Sequence, residues 1–431
     1  MERLLTPSAI SKPAPTRVYR WVVLLSMSVA LYGSYYAFDY IGPLAPLLSR
    51  QLHFSDSQIG LLQAVYSLPN IVAMLVCGVL IDRIGTKKSM AFFSLLVFAG
   101  LAITALSPRL GIMVAGRLIV GSGAEALALA SNVGVARWFW HDDLSLGFGI
   151  RSTFLRLGSL TAQISPTWAP GAYAYWQWPL LIGVGFGGFC ILGAALYWFL
   201  DVRGERQFAL GHVAGDGKIT PGEVFRFNRS FWLISALCIT FYGCVFPFET
   251  FGQKFLIDAR HLSPKTASLL VGMEPFFAMV GAPIFGYVVD RYARRSLFMM
   301  FGSLLIVPVF LMLGYTDIPP FIPMAMMGVA FALVPSVMWP ALVYVVEKSR
   351  LGIANGMLDT IQQIGLVGIN LLIGWSNDRW LASSMNPAGY HASMWIFTGI
   401  AVLAVLCSLA LWREETGPHA HGLETITTER T

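Results

Sequence analysis

The stretch Gly78-Val-Leu-Ile-Asp82-Arg83-Ile-Gly85-Thr-Lys87-Lys88 follows a long apolar segment, and its pattern returns in Gly286-Tyr-Val-Val-Asp290-Arg291-Tyr-Ala-Arg294-Arg295 after another. The second stretch begins 208 residues after the first, close to half of the 431-residue chain. Both read Gly-x-x-x-Asp-Arg and then a basic cluster. A cationic hairpin repeated at half-chain spacing predicts a membrane protein of two similar halves, an internal symmetry that many transporters have.

Apolar residues dominate the rest of the chain. They make up 56% of it and charged residues only 12%, where about 25% is usual for soluble domains. Runs near the ~20 residues that cross a bilayer recur from end to end. We therefore predict an all-α polytopic membrane protein with twelve transmembrane helices in two pseudo-symmetric six-helix bundles. The predicted spans are residues 18–46, 56–81, 89–107, 110–138, 145–168, 176–200, 231–257, 266–289, 296–314, 319–346, 352–376 and 390–412.

The longest polar interruption divides the spans six from six. It covers residues 201–230 and is predicted to be a cytoplasmic linker. The N-terminal bundle is then residues 18–200 and the C-terminal bundle residues 231–412. Short cytoplasmic tails, 1–17 and 413–431, complete the predicted organisation.

The distribution of the Lys and Arg residues agrees with this topology. The net charge is +6, and 20 of the 29 Lys and Arg residues fall on the inner side if both termini are cytoplasmic, against five outside. This is the positive-inside rule, so it indicates a membrane and not nucleic acid. The only Asn-x-Ser/Thr sequon, at Asn228, is also on the inner side. We therefore predict a bacterial inner (plasma) membrane protein, with the lysosomal membrane as the alternative location.

The sequence lacks the common short motifs of nucleotide-binding proteins, hydrolases and metalloproteases. It has no Walker loop, nucleophile elbow or His-Glu-x-x-His motif, and its five cysteines lie unpaired in apolar segments. We expect no enzyme activity, cofactor or metal, and a monomer whose partners are lipid, a small-molecule substrate and, in one alternative, protons. A sensor or a membrane-embedded enzyme is a minor alternative.

The two hairpins are candidate gates. Gly lets two helix ends approach closely, and the Asp can pair with an Arg or a helix N-terminus while the basic cluster stays in water. Such a charge lock can close the inner side and open as the halves rock. For either hairpin alone, simple topological anchoring explains the residues equally well. The residues assigned to gating are Gly78, Asp82, Arg83, Gly286, Asp290 and Arg291.

Two charges lie near the middle of neighbouring spans. Glu125 is in the fourth span and Arg156 in the fifth. A charge inside a bilayer costs at least about 2.5–3.5 kcal/mol, so each is a candidate functional residue. A zwitterion would place its ammonium at Glu125 and its carboxylate on Arg156. The alternative is a salt bridge between the two that only holds the helices together.

Further polar residues are expected to shape the same cavity or to support it. Tyr36 and Asp39 are the cavity candidates of the first span, among tyrosines that otherwise suit an interfacial belt. The C-terminal half contributes acids and an amide, and two more arginines are assigned to gating or to support of the site. These residues are Glu249, Glu274, Asp359 and Gln362, and then Arg117 and Arg151.

The hairpins resemble the Gly-x-x-x-Asp-Arg-x-Gly-x-(Lys/Arg) signature of the major facilitator superfamily, although Ala293 replaces the second Gly in the second copy. Other stretches carry a finer resemblance: Gly33–Asp39, Tyr66–Asn70, Gly116–Leu127, Arg156–Ser159, Val245–Phe248, Trp339–Pro340, Leu351–Gly356 and Ile361–Gln362. They resemble the lysosomal dipeptide uniporter branch of that superfamily. The resemblance implies a transporter that works by alternating access, with Glu125 and Arg156 at the termini of a dipeptide.

Three residues depart from that branch. Glu249 and Glu274 stand where apolar residues are expected, and Asp359 replaces a neutral amide. Extra buried acids can carry protons. The alternative function is therefore a proton-coupled carrier of organic ions, amino acids or drugs, with Glu249 or Glu274 as the proton site.

Overall fold

A computed structural model describes residues 13–140, 143–211, 227–347, 350–418 and 420–426. Every regular element in these ranges is helical, and the helices form two bundles. The helices of the first bundle are α1 (Arg17–Asp39), α2 (Ile41–Leu52), α3 (Asp56–Ser67), α4 (Asn70–Ile84), α5 (Thr86–Leu106), α6 (Leu110–Trp138), α7 (Leu144–Gln163), α8 (Ser165–Trp168) and α9 (Gln177–Gln207). Those of the second are α10 (Arg229–Asp258), α11 (Pro264–Val271), α12 (Met273–Tyr292), α13 (Arg295–Tyr315), α14 (Phe321–Val345), α15 (Leu351–Arg379) and α16 (His391–Glu415).

Several spans consist of two helices because the chain breaks at Pro or Gly. The first span is interrupted at Tyr40, just before Pro43, and the second at Leu68 and Pro69. The eighth is divided at Gly272. Proline cannot donate the intrahelical hydrogen bond, and neighbouring helices in a bundle can satisfy the carbonyls that it frees. Counted in this way, the helices give the predicted twelve spans, six in each bundle.

Ten of these spans are long and apolar enough to cross a membrane within the described residues. The second and fifth are the exceptions. The second is divided into two short helices, and the fifth contains Arg151 and Arg156.

The two ends of the molecule differ. We call the end with the two Gly-x-x-x-Asp-Arg hairpins the basic end, and the end with Asp56, Lys254 and Asp378 the opposite end. Every hydrogen bond and ion pair that joins the bundles in the described residues involves the opposite-end portions of α3, α7, α10 and α15. The bundles therefore meet at the opposite end.

Glycines permit this close contact. A Cβ added to Gly42 would lie 2.4 Å from the Glu249 carbonyl, and one added to Gly60 would lie 2.5 Å from the Asn370 carbonyl. Both partners belong to the other bundle. Any larger side chain would push the bundles apart, which is the reason for small residues at tight helix crossings.

The predicted linker and tails are described only in part. Helix α9 continues to Gln207, inside the predicted linker 201–230, while residues 212–226 lie outside the described residues. Residues 1–12 and 427–431 of the tails lie outside them as well. In the C-terminal tail, Leu423 is buried and its carbonyl accepts a hydrogen bond from the Arg295 backbone at 3.0 Å. This part of the tail packs on the second bundle at the basic end.

Candidate functional site

A cavity of about 200 Å³ lies between the two bundles. Its charged lining residues are Glu125 and Arg156 from the first bundle and Asp359 from the second. Its other lining residues are aromatic, amide or aliphatic: Tyr35, Phe38, Tyr242, Phe246, Trp339, Gln362, Gln363 and Leu366.

Helical spacing explains how α15 presents its polar residues to the cavity. Asp359, Gln362, Gln363 and Leu366 follow the i, i+3, i+4, i+7 pattern, which places them on one face of the helix. Tyr242 and Phe246 are four residues apart on α10 and form a second such stripe. The site thus lies on regular helices of both bundles.

Glu125 and Arg156 share the cavity but do not pair with each other. The Tyr66 hydroxyl donates to Glu125 Oε1 at 3.2 Å. The Arg156 guanidinium lies over the Phe331 ring of the other bundle, 4.7 Å from its centre. Among the described residues Arg156 donates no hydrogen bond and forms no ion pair with Glu125. A purely structural salt bridge between the two charges is therefore absent from this conformation, and the guanidinium keeps its donors for another partner.

Three carboxyl groups lie near Arg156, towards the opposite end. Asp39 of α1, Glu249 of α10 and Glu274 of α12 are 5%, 3% and 1% exposed. Asp39 lies beside Ser159 and within electrostatic range of Glu274 and Arg156. Glu249 and Glu274 are neighbours, yet no hydrogen bond of standard geometry joins them, and one oxygen of the first and both of the second have no protein partner. We call Asp39, Glu249 and Glu274 the acidic cluster.

The prediction that Tyr36 lines the cavity is wrong. The Tyr36 ring stacks on Phe186 of α9, with centroids 3.6 Å apart, and the residue is 1% exposed. Tyr35 is the cavity residue instead. Adjacent helical residues point about 100° apart, so an error of one position in α1 moves the hydroxyl from the cavity to a contact between helices.

Arg117, which the sequence assigns to gating or to support of the site, donates in this conformation to backbone carbonyls of its own bundle. It is fully buried, and its guanidinium donates to the carbonyls of Ala37, Phe38 and Leu62 at 2.6–3.3 Å and to Gln63 Oε1 at 2.7 Å. These acceptors belong to the first and second spans. Arg117 therefore joins three spans beside the break between α1 and α2.

Arg151 is also turned inward. It donates to Ser131 Oγ at 3.1 Å and to the Ala128 carbonyl at 2.8 Å, which fastens α7 to α6. Glu125 is its charged neighbour. Arg151 thus supports the carboxyl group of the cavity from the side of the basic end.

The hairpins at the basic end do not make the close approach expected of them. A Cβ added to Gly78 or Gly286 would meet nothing within 4 Å. Asp82 and Arg83 are exposed, and so are Asp290 and Arg291. Asp82 forms no ion pair within the described residues, whereas Arg295 approaches Asp290 at 3.6 Å inside the second hairpin. The hydrogen bonds and ion pairs that join the bundles within the described residues lie at the opposite end, so none of them draws the two hairpins together.

A lock at the opposite end was missed by sequence reasoning. Lys254 Nζ of α10 lies 2.5 Å from Asp56 Oδ1 of α3, and the Asn377 amide donates to Asp56 Oδ2 at 2.8 Å. The Asp378 carboxylate of α15 accepts the backbone N–H groups of Asp56 and Ser57, each at 2.8 Å. One bundle therefore caps a helix N-terminus of the other. Lys254 is an intramembrane charge, so the cost argument that selected Glu125 would also have found it.

The fold and the cavity together define the class of protein: two six-helix bundles that enclose a polar site midway through a membrane are the architecture of a secondary transporter. The profile of the Major Facilitator Superfamily matches residues 25–367 and 249–426. The chain belongs to this superfamily. It is an integral membrane protein that transports a small molecule.

Individual proteins of known name are also similar to this chain. The lysosomal dipeptide transporter MFSD1 of Danio rerio is 29% identical over 407 residues, covering 91% of this chain and 86% of its own. The protein of the same name from Homo sapiens is 30% identical over 377 residues, covering 84% of this chain and 80% of its own. A solved bacterial homolog of the human lysosomal transporter Spinster is 16% identical, with a TM-score of 0.73, and covers 92% of this chain and 97% of its own. That last likeness concerns the fold alone.

Proposed function

We propose that the protein transports dipeptides by alternating access, with Glu125 binding the peptide ammonium and Arg156 the peptide carboxylate. The observation that carries the proposal is the guanidinium of Arg156, which donates no hydrogen bond within the described residues and lines a cavity that also holds Glu125. A carboxylate matches the fork of a guanidinium with two parallel hydrogen bonds. The names of the relatives support the same substrate class.

Alternating access is proposed from the difference between the two ends. The lock around Asp56 and Lys254 joins the bundles at the opposite end, while the hairpins at the basic end stand apart. For a substrate to pass, the lock must open and the hairpins must approach each other. Gly78 and Gly286 would then allow the close approach, and Asp82 would face the other bundle.

Labelled Ala-Ala should enter proteoliposomes that contain the wild-type protein, and excess unlabelled Ala-Ala should compete with it. N-acetyl-Ala-Ala and Ala-Ala amide should compete at least about tenfold less well, because each lacks one of the two charges and leaves a buried partner unpaired. Empty liposomes are the control. Absent Ala-Ala uptake by protein that elutes as a single folded species would refute the dipeptide proposal.

Proton coupling is the second candidate, favoured by the acidic cluster. Glu249 and Glu274 are neighbours with oxygens that have no protein partner, and Asp39 and Arg156 are the other charged groups around them. Two carboxylates so close in a low-dielectric site cannot both ionise cheaply. One proton shared between them is therefore expected in at least one conformation.

If protons are coupled, acidifying the side from which the peptide enters should raise uptake of labelled Ala-Ala several-fold. Glu249→Gln and Glu274→Gln should each abolish that response but keep exchange of labelled for unlabelled peptide, since exchange needs no net proton movement. The exposed Glu347→Gln serves as the matched control. Wild-type uptake that is equal with and without the gradient would instead establish a uniporter.

The distribution of positive charge and the names of the relatives support a proposal for the membrane in which the protein lies. The positive-inside count favours both termini in the cytoplasm and the opposite end outside. A bacterial inner membrane remains our first proposal, and the names of the relatives favour the lysosomal alternative.

A further inference from the structure

The second hairpin contains a backbone conformation that its sequence disfavours. Ala293 has φ 55° and ψ −123°, and Arg294 follows it with φ 48° and ψ 40°. Residues with a Cβ seldom adopt a positive φ, whereas glycine does so readily. The first hairpin has a glycine at the equivalent place, Gly85 with φ 82°. A strained turn of this kind persists only where neighbouring structure holds it.

The C-terminal tail contacts the residue that follows this turn. We call residues 420–426 the strap. The backbone N–H of Arg295 donates to the Leu423 carbonyl at 3.0 Å, and its guanidinium donates to the Ile426 carbonyl at 2.7 Å. The guanidinium also donates to the Tyr344 hydroxyl at 2.8 Å and lies over that ring. Arg295 is therefore held on both sides and is only 1% exposed.

The strap also caps the helix that begins at the turn. Arg294 stands at the N-cap position of α13 and provides no side-chain cap of its own. Glu424 Oε1 of the strap accepts the Ser296 backbone N–H at 2.9 Å and the Ser296 hydroxyl as well. A carboxylate at a helix N-terminus satisfies free N–H groups and interacts favourably with the helix dipole. The first turn of α13 is thus fixed by the tail.

The strap is itself anchored on other helices of the second bundle. The Leu423 side chain is fully buried. The His421 backbone N–H donates to Glu415 Oε2 at 2.8 Å, and the Asn228 amide donates to His421 Nε2 at 3.0 Å. Glu415 is at the end of α16, and Asn228 caps α10. The strap therefore connects the second hairpin to the ends of two other helices.

The first hairpin has a corresponding support in its own bundle. Lys87 is the counterpart of Arg295, since each stands two residues after the place with positive φ. Lys87 forms ion pairs with Asp201, at 3.7 Å, and with Glu205, both in the last turns of α9. Helix α9 is the sixth span of the first bundle, and α16 is the sixth span of the second. The strap follows α16, so it takes the place of the last turns of α9.

We infer that the strap fixes the second hairpin in a turn that Ala293 disfavours and thereby positions Asp290 and Arg291 for closure of the basic end. The second part of this inference rests on the proposed function, because it assumes alternating access. Without the strap, the backbone at Ala293 would return to a negative φ and the hairpin would lose its shape. No hydrogen bond of the strap within the described residues reaches a residue that lines the central cavity, so peptide binding should not depend on it.

The test removes the strap and then relieves the strain. Leu423→Asp should release the strap, because a carboxylate is not buried there without a partner. A spin label on Tyr292→Cys, at an exposed position of the hairpin, should become more mobile, and uptake of labelled Ala-Ala should fall several-fold with unchanged Ala-Ala binding. Adding Ala293→Gly to Leu423→Asp should restore both label mobility and uptake, because glycine adopts the turn without support.

Two controls accompany these variants. Thr425→Asp places the same charge on an exposed residue of the strap and should change neither label mobility nor uptake. Labelling of protein without Tyr292→Cys measures the background from Cys407, which is half-buried, while the other four native cysteines are buried. Glu424→Ala is the milder change that repeats the comparison where Leu423→Asp does not fold.

Three results would overturn the inference. Unchanged label mobility in folded Leu423→Asp and Glu424→Ala would show that the strap does not hold the hairpin. Raised mobility that Ala293→Gly does not reverse would show that strain at Ala293 is not what the strap offsets. Raised mobility with wild-type uptake would show that closure does not need this hairpin shape. Absence of uptake by the wild type would refute the proposed function instead, and label mobility would still decide whether the strap holds the hairpin.

Discussion

Arg156→Ala should abolish dipeptide uptake. Removing the guanidinium leaves the peptide carboxylate without a partner in the cavity between the bundles, which costs about 2–5 kcal/mol and lowers affinity at least about thirtyfold. Arg156→Lys should recover only part of the uptake, because an ammonium keeps the charge but loses the two parallel hydrogen bonds. Uptake of labelled Ala-Ala into proteoliposomes measures both variants.

The matched control is Arg109→Ala, since Arg109 is exposed in a loop at the opposite end. It should transport as the wild type does. The Arg156 variants should also elute and melt like the wild type, because Arg156 donates no hydrogen bond to the described part of the protein. Wild-type uptake by Arg156→Ala would contradict the assigned role of this residue.

Arg117→Met should prevent stable folding, in contrast to the Arg156 variants. The methionine fills a similar volume but leaves the carbonyls of Ala37, Phe38 and Leu62 without their donor. Each buried acceptor that loses its partner costs about 1–3 kcal/mol, so the total is several kcal/mol. We expect poor expression and a lower melting temperature in detergent, read from tryptophan fluorescence during heating.

Two outcomes separate a structural Arg117 from the gating residue that the sequence predicted. A stable Arg117→Met protein that transports slowly would favour gating. An unstable protein, beside an Arg156→Ala protein of wild-type stability, would support the structural role. The comparison is sharp because both arginines lie inside the first bundle and differ mainly in whether the protein uses their donors.

The spans and the two hairpins could be predicted because they depend on local sequence. Twenty apolar residues in a row require a membrane-spanning helix wherever they occur. Glu125 and Arg156 were found by the same kind of argument, since the cost of a charge in a bilayer does not depend on its neighbours. Both residues lie in the cavity.

Two features could not be predicted from the sequence. One is the rotation of each helix about its axis, and the other is the set of contacts between the two bundles. Choosing Tyr35 over Tyr36 as the cavity residue requires the rotation of α1 about its axis, which a span with apolar residues on all sides does not reveal. The lock between Asp56 and Lys254 joins residues 198 positions apart. Its formation depends on which end of the molecule is closed, and that is a property of the conformation.

The most direct test of the central claim is binding of Ala-Ala to the purified wild-type protein, measured by isothermal titration calorimetry beside its two blocked analogues. We predict that Ala-Ala binds, and that N-acetyl-Ala-Ala and Ala-Ala amide each bind at least about tenfold more weakly. Binding of all three with equal affinity, or of none, would contradict the claim that Glu125 and Arg156 recognise the two termini of a dipeptide.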